Sequence, residues 1–273
     1  MAHFWLRAAV TLYGAGLLYA LAALMMKREI MSRVMMPVVG IGMLLHLVAL
    51  TESMLAAGHP GDVISTQYPS LLALLMMLFF FAVYWRYRIT SHGIFVLPVA
   101  FFLTLSALLS EQGPQFSTPL LRNGWIYLHI ALIFLGYAAL FLSFASSILY
   151  LIQERSLKNK RLDGLMSRLP SLAVMDDIGL RSLVLGFPFM TLGLIAGSVV
   201  AQESYGPAYF RDPKIMLSLV MWAVYMVLLF TRWTNGWRGR RAALLSSVAF
   251  VSATLAWAAS YFSTVHRYVE PPR

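Results

Sequence analysis

Histidines are the residues of this sequence with the greatest capacity for chemistry, and four of the six lie within or beside long apolar runs, among them His92, which is predicted to lie on the inner side. His129 stands near the start of one run, His266 at the end of another, and His46 inside a third. A buried imidazole is costly unless its nitrogens are bonded or bind a metal, so each of these three positions is a candidate for a ligand role. A neutral imidazole bonded to a neighbouring carbonyl is the structural alternative. His3 and His59 are interpreted as surface side chains.

The composition predicts an integral membrane protein. Of the 273 residues, 60% are hydrophobic and 12% are charged, and the mean hydropathy is +0.73. Soluble domains average about 45–50% apolar and about 25% charged residues. The chain has no cysteine, which excludes disulfides, thiolate metal sites and iron–sulfur clusters. The net charge of +10 falls in short turns between apolar runs, so nucleic acid is not an expected partner.

Eight apolar runs predict an all-α, polytopic helical bundle with about eight transmembrane helices, forming one domain over residues 1–273. A spanning helix needs roughly 20 mostly apolar residues. The third and fourth runs are short, and Pro98 is expected to kink the fourth. The runs are 6–26, 34–50, 69–84, 93–109, 125–152, 182–201, 215–231 and 242–265.

The basic residues are distributed unevenly between the connections. Fifteen of the 21 Lys and Arg residues fall on one side, which includes the longest connection, residues 153–181. The positive-inside rule assigns that side to the cytoplasm and both termini to the outside. A cleaved signal peptide is the alternative for the first run, although its basic cluster follows the apolar residues instead of preceding them. The predicted topology brings residues 202–214 to the outer face, together with His129 and His266.

These outer residues include the components that a haem site would need. Two imidazoles from different helices can bind one iron from opposite sides, and a haem also needs aromatic walls and cations for its propionates. The aromatic candidates are Trp125, Tyr205, Tyr209 and Phe210, and the cationic candidates are Arg122, Arg211, Lys214 and Arg267. An interfacial aromatic belt is the alternative interpretation of the same aromatic residues.

The second part of the chain, about residues 125–268, resembles the cytochrome c assembly family of haem-handling membrane proteins, of the CcmC, CcsA and HemX types. Successive blocks carry the resemblance: "WIYLHIALIFLGYAALFLSFASSILYLIQ", "LPSLAVMDDIGLRSLVLGFPFMTLGLIAGS", "RDPKIMLSLVMWAVYMVLLFTRWTNGWRGRRAALLSSVAF" and "YFSTVHRY". The chain length and the eight runs are most similar to the HemX-like branch.

The resemblance implies a particular haem site. Members of this family carry an outer segment of the form WGxxWxWDPKE between two histidines that act as axial ligands. The resemblance therefore implies His129 and His266 as the axial ligands of the haem iron. Tyrosines stand where two of the tryptophans would be, Arg211 stands at the third, and Ile215 replaces the glutamate. The full set of expected haem-binding residues is His46, Trp125, His129, Tyr205, Gly206, Tyr209, Phe210, Arg211, Asp212, Pro213, Lys214 and His266.

The same resemblance implies a haem-binding protein of cytochrome c biogenesis, which presents non-covalent b-type haem at the outer face of a bacterial inner membrane. The expected partners are haem, lipid, and other cytochrome c assembly proteins or a haem-biosynthesis enzyme. We expect no catalytic residue, and at most a component of a haem-attachment system. Two alternatives stay open: a HemX-like regulator of haem biosynthesis acting through residues 153–181 and 232–241, and a small-molecule transporter.

Overall fold

The computed structural model describes residues 1–26, 30–57, 60–109, 124–160, 169–263 and 265–266, and its regular elements within these ranges are all helices. The α-helices are α1 (Ala2–Met26), α2 (Ile30–Ala56), α3 (Pro60–Tyr87), α4 (Gly93–Leu109), α5 (Gly124–Lys158), α6 (Leu172–Tyr205), α7 (Pro213–Thr234) and α8 (Arg240–Ala258). Two 3-10 helices complete the set: the loop helix, Gly206–Arg211, and the terminal 3-10 helix, Ala259–Phe262.

The prediction of an all-α polytopic membrane protein is confirmed. In the described part of the chain, seven helices are long and apolar enough to span a membrane, and α4 is an apolar helix of 17 residues, shorter than the others. Each of the eight predicted runs corresponds to one α-helix. The assignment of both termini to the outside stays a prediction, as does the single domain over residues 1–273.

Several helices differ in length from the apolar runs. α5 continues to Lys158 and α6 begins at Leu172, so the predicted connection 153–181 is helical at both of its ends. Salt bridges one turn apart stabilise these polar extensions, Lys158 with Glu154 at 2.8 Å and Arg181 with Asp177 at 2.9 Å. Hydropathy missed the extensions because they are polar.

The eighth run was predicted to be helical as far as residue 265, and this was too long. α8 ends at Ala258, the terminal 3-10 helix follows, and Ser263 has an extended backbone with φ −77° and ψ 135°. The apolar composition continues past the point where the helix ends, and composition does not register a change of backbone conformation. His266 therefore lies beyond the helix, in a turn.

One compact unit comprises residues 1–115 and 153–171. In it, α1 packs on α2, α2 on α3, α3 on α4 and α4 on α1, so the four helices close a ring. Gly16 of α1 permits a close approach, because a Cβ there would collide with Val39 of α2. α3 is kinked at Gln67, two residues before Pro69.

The second unit comprises residues 116–152 and 172–273, with α5 to Ile152 and all of α6, α7 and α8. Its apolar core draws on all four helices, including Leu140, Met190, Tyr225 and Ala249. Glycines bring the backbones of α5 and α6 together: a Cβ on Gly136 would lie 3.1 Å from the backbone nitrogen of Met190.

The two ends of this second unit are held by different polar contacts. At one end, Arg232 of α7 forms a 2.9 Å ion pair with Asp176 of α6, and the guanidinium is almost fully buried. The backbone N–H of Gly239, which precedes α8, donates to the same carboxylate at 3.3 Å. The opposite end holds the start of α5, the end of α6, the loop helix, the start of α7 and the terminal 3-10 helix. That end carries the predicted site residues of the second unit.

Candidate functional site

His129 lies in the second turn of α5 and faces α6. Its Nδ1 is 2.7 Å from the carbonyl oxygen of Gly193. A carbonyl oxygen only accepts hydrogen bonds, so Nδ1 carries the proton and donates it, and Nε2 keeps its lone pair. The imidazole also lies against Gly197, where an added Cβ would be 2.5 Å from Nδ1. Two glycines of α6 therefore fix both the tautomer of this ring and the space it occupies.

His266 follows the terminal 3-10 helix and is half-buried. Its Nδ1 is 3.1 Å from the hydroxyl oxygen of Ser263, and its backbone N–H donates to the same oxygen at 3.0 Å. The pKa of His266 is lowered to about 3, mainly by burial and in addition by the charges of Lys214 and His129, while the carboxylate of Asp212 acts in the opposite direction. The ring is therefore neutral at pH 7, which is the form that binds a metal.

The electrostatic environment of His266 brings separate elements together. His129 of α5 and Lys214 of α7 both lie within electrostatic range of His266. Two imidazoles and one ammonium group thus converge at one end of the second unit. Among the described residues, no group of three or more His, Cys, Asp or Glu side chains could hold a metal ion. The two imidazoles alone suit a metal whose remaining ligands come from a macrocycle.

Asp212 connects the segment after the loop helix to the segment that carries His266. One carboxylate oxygen, Oδ1, accepts from the backbone N–H of Lys214 at 3.0 Å and caps α7, with Pro213 at the first helical position. The other, Oδ2, accepts from the Ser263 hydroxyl at 2.9 Å and from the backbone N–H of Val265 at 3.2 Å. Asp212 is only 4% exposed, so its role here is to join two segments.

The loop helix carries the aromatic residues of the predicted haem segment. It begins at Gly206, whose φ of +62° is one that other residues rarely adopt. Tyr205 and Phe210 are 41% and 53% exposed, whereas Tyr209 is buried and its ring centroid lies 4.1 Å from that of Phe210. The hydroxyl of Tyr205 donates to the carbonyl oxygen of Val265 at 3.5 Å, a long and weak bond.

The other predicted members of the set are located as follows. Trp125 and Arg211 are exposed, and Pro213 is exposed at the start of α7. The residues Arg122, Arg267 and His59 lie outside the described part of the chain.

His46 belongs to the first unit and is fully buried in α2. Its Nε2 lies 2.7 Å from the hydroxyl oxygen of Ser70 in α3, and its Nδ1 lies 3.3 Å from the hydroxyl oxygen of Tyr13 in α1. Both partners are also fully buried. Both ring nitrogens of His46 are therefore engaged, and binding iron would require breaking one of these contacts.

Sequence reasoning missed Ser263, Gly193 and Gly197, which contact the two outer histidines. The glycines lie in the block "TLGLIAGS", and their spacing of one helical turn signals a close approach on one face of α6. The capping role of Asp212 could have been predicted, since Asp followed by Pro begins many helices. Nothing local to Ser263 indicates its contact with Asp212.

The fold and these contacts define a helical membrane protein with a pair of imidazoles at one end of a four-helix unit. The chain belongs to the cytochrome c assembly protein family, since the family pattern matches residues 9–266. The chain is 32% identical over 209 residues to the cytochrome c biogenesis protein CcsA of Guillardia theta, covering 69% of each chain.

Other relatives carry the same description. The CcsA protein of Gloeobacter violaceus is 30% identical over 220 residues, which cover 60% of this chain and 64% of that protein. The CcsA protein of Mesostigma viride is 28% identical over 261 residues, covering 86% of this chain and 85% of that protein. These relatives support the CcsA type. They give no support to a closer relation with the HemX-like branch.

Proposed function

We propose that this protein handles haem in cytochrome c assembly and holds the haem iron between His129 and His266. The observation that carries this proposal is that the two imidazoles and Lys214 lie at one end of the second unit, where hydrogen bonds through Ser263 and Asp212 connect His266 to the start of α7. Membership in the cytochrome c assembly family supports it, as do relatives described as cytochrome c biogenesis proteins. The regulator and the transporter gain no support from these comparisons.

The donor set of the site fits a haem. His129 offers Nε2, because its Nδ1 is bonded to a carbonyl, and His266 is neutral. His129 and His266 would hold the haem iron, and iron held by two imidazoles would suit carriage of haem and disfavour oxygen binding. Lys214 neutralises propionate charge, and Arg211 is exposed at the same segment for the same purpose.

The aromatic residues divide into two groups by exposure. Tyr205, Phe210 and Trp125 are exposed and available to stack against a porphyrin, whereas Tyr209 is buried and supports Phe210 from below. Gly206 supplies the backbone conformation that starts the loop helix. The resemblance to the family implies three tryptophans in this segment. Tyrosine rings at two of these positions can replace part of the indole surface, and Arg211 at the third position supplies a charge instead.

We further propose that the haem is bound non-covalently, as b-type, at the outer face of a bacterial-type inner membrane. The uneven distribution of basic residues supports the outer placement. The absence of cysteine from the chain implies that a partner in the assembly system keeps the apocytochrome thiols reduced. The chain would then act as one component of haem attachment and have no catalytic residue of its own. His46 as a second ligand stays a prediction.

Haemin titration of the purified protein in detergent tests the proposal. We expect one equivalent of haemin to produce the visible spectrum of iron with two histidine ligands. His129→Ala and His266→Ala should each abolish that spectrum and weaken binding by more than about 100-fold, since each removes an axial ligand. His3→Ala, at an exposed position, is the matched control and should leave the spectrum unchanged. A wild-type protein that shows no such spectrum at stoichiometric haemin would refute the proposal.

A further inference from the structure

Asp212 determines which way the hydroxyl of Ser263 points. A carboxylate only accepts hydrogen bonds, so at 2.9 Å the Ser263 hydroxyl must donate its one hydrogen to Oδ2 of Asp212. Asp212 and Ser263 are both buried, which removes competition from water. The backbone N–H of Val265 donates to the same Oδ2 and keeps the segment in register with the carboxylate. The hydroxyl oxygen of Ser263 is therefore left with acceptor capacity only.

Because the Ser263 oxygen can only accept, it also determines which nitrogen of His266 carries the proton. The Ser263 oxygen accepts the backbone N–H of His266 at 3.0 Å, and its second lone pair faces Nδ1 of the same residue at 3.1 Å. Two acceptors cannot form a hydrogen bond with each other, so Nδ1 must carry the proton. The lone pair of the imidazole then resides on Nε2.

We propose that Asp212 and Ser263 act in series as positioning residues, which hold the His266 imidazole in its Nδ1–H tautomer with Nε2 presented to the haem iron. This inference rests on the proposed function, because it assigns His266 to iron binding. From the sequence, Asp212 was expected to bind haem. In the structure its carboxylate is buried and joins two segments, so we assign haem contact to the exposed side chains around it.

The two histidines of the site thus reach the same tautomer by different means. For His129 the acceptor is the Gly193 carbonyl, whose direction is fixed by helix α6. For His266 the acceptor is a side-chain oxygen that becomes an acceptor only because Asp212 takes its hydrogen. Asp212 also caps α7 and accepts the backbone N–H of Lys214, so one carboxylate sets the positions of both a ligand and a cation.

The test measures the tautomer in the protein without haem. The chain is labelled with ¹⁵N-histidine and purified in detergent, and long-range ¹H–¹⁵N correlations report which nitrogen is protonated. The signal of His266 is assigned by its loss in His266→Ala. We expect wild-type His266 to be the Nδ1–H tautomer.

The decisive variant is Ser263→Ala, which removes the acceptor and leaves the cap between Asp212 and Lys214 intact. We expect its His266 signal to change to a mixture of tautomers or to Nε2–H, and haemin affinity to fall about 10–100-fold. Ser263→Thr restores the hydroxyl and should restore both readouts. Ser260→Ala is the matched control, since that hydroxyl bonds only to the nearby backbone carbonyl of Trp257 in the described part of the chain.

Two results would overturn the inference. One is an Nε2–H tautomer of His266 in the wild type, which is detected without any variant. The other is a His266 that keeps the Nδ1–H tautomer in Ser263→Ala. A different result tests the proposed function separately. If the wild type has the Nδ1–H tautomer and the variants change it as expected, yet haemin does not bind, then the positioning contacts stand and the assignment of a haem ligand fails.

Discussion

The first and second units contain buried imidazoles in contrasting situations. His46, in the first unit, has both ring nitrogens in contact with side-chain hydroxyls and is fully buried. Among the described residues, His129 and His266 of the second unit each have one polar contact on the ring, at Nδ1 in both cases. An imidazole held at both nitrogens connects helices, whereas one held at a single nitrogen is oriented and still has a ligand position available.

The acceptors and donors around these rings differ as well. Around His46 the partners are hydroxyls, which can donate or accept, so its tautomer is free to change without loss of a hydrogen bond. Around the outer pair the partners act only as acceptors, which fixes the proton on Nδ1. The comparison therefore predicts that changes in the first unit affect stability, and that changes in the second affect haem binding.

Among the variants that test this comparison, Gly197→Ala has the largest expected effect, because the new methyl group would lie 2.5 Å from Nδ1 of His129. The ring must move, and we expect haemin affinity to fall at least about tenfold, with a loss of stability of about 1–3 kcal/mol from overpacking. Haemin titration and thermal unfolding in detergent measure these effects.

Gly124→Ala, also in the second unit, is the matched control, since nothing lies within 4 Å of a Cβ at that position. Equal haemin affinity in the wild type and Gly197→Ala would contradict the assignment of His129.

The next effect is that of His46→Ala, which leaves the hydroxyls of Tyr13 and Ser70 buried without their partner. We expect a loss of stability of about 1–3 kcal/mol, seen as a lower midpoint of thermal unfolding. Haemin bound between the outer histidines should keep its spectrum and affinity. If the variant instead loses one full equivalent of bound haemin, His46 is a ligand and the comparison between the two units fails.

A smaller effect is expected for Tyr13→Phe, which removes one hydrogen bond from His46 and keeps the ring. The loss of stability should be about 0.5–1.5 kcal/mol, again measured by thermal unfolding. Tyr19→Phe is the control, because the buried Tyr19 hydroxyl has no hydrogen-bond partner among the described residues and its removal should cost nothing. Equal destabilisation by the two variants would show that the contact with His46 is not what matters.

The smallest effect is expected for Tyr205→Phe. It removes a hydroxyl bond that is 3.5 Å long and exposed to solvent, so the change in stability should stay within about 0.5 kcal/mol. Tyr205→Ala removes the ring itself, and we expect it to weaken haemin binding severalfold if the ring stacks on the porphyrin. Haemin titration compares the two variants, and equal affinities would exclude Tyr205 as a wall of the site.

The fold was largely predictable because membrane thickness and hydropathy constrain the helices strongly. The start and end of α4 were predicted from its apolar run alone. The end of α5 and the start of α6 were not predicted, because polar residues there continue the helix through pairs such as Lys158 with Glu154. The end of α8 was also not predicted, because the apolar composition continues into the terminal 3-10 helix.

The two outer histidines could be proposed as ligands from their residue type and position, and that role stays a prediction. The residues that contact them could not be proposed in this way. The contact between Asp212 and Ser263 joins residues 51 positions apart, and only the packing of α7 against the terminal 3-10 helix brings them together. The contacts of His46 with Tyr13 and Ser70 likewise depend on how α1, α2 and α3 pack, which a single sequence does not specify.

The hydroxyl of Tyr205 has an evolutionary consequence. The resemblance to the family implies a tryptophan at this position, where Tyr205 weakly tethers the backbone segment of His266 through the Val265 carbonyl. An indole at this position would enlarge the aromatic wall and at the same time release that tether. Because that contact is weak, a lineage that regained the tryptophan would enlarge the wall of the site at little cost to the position of His266.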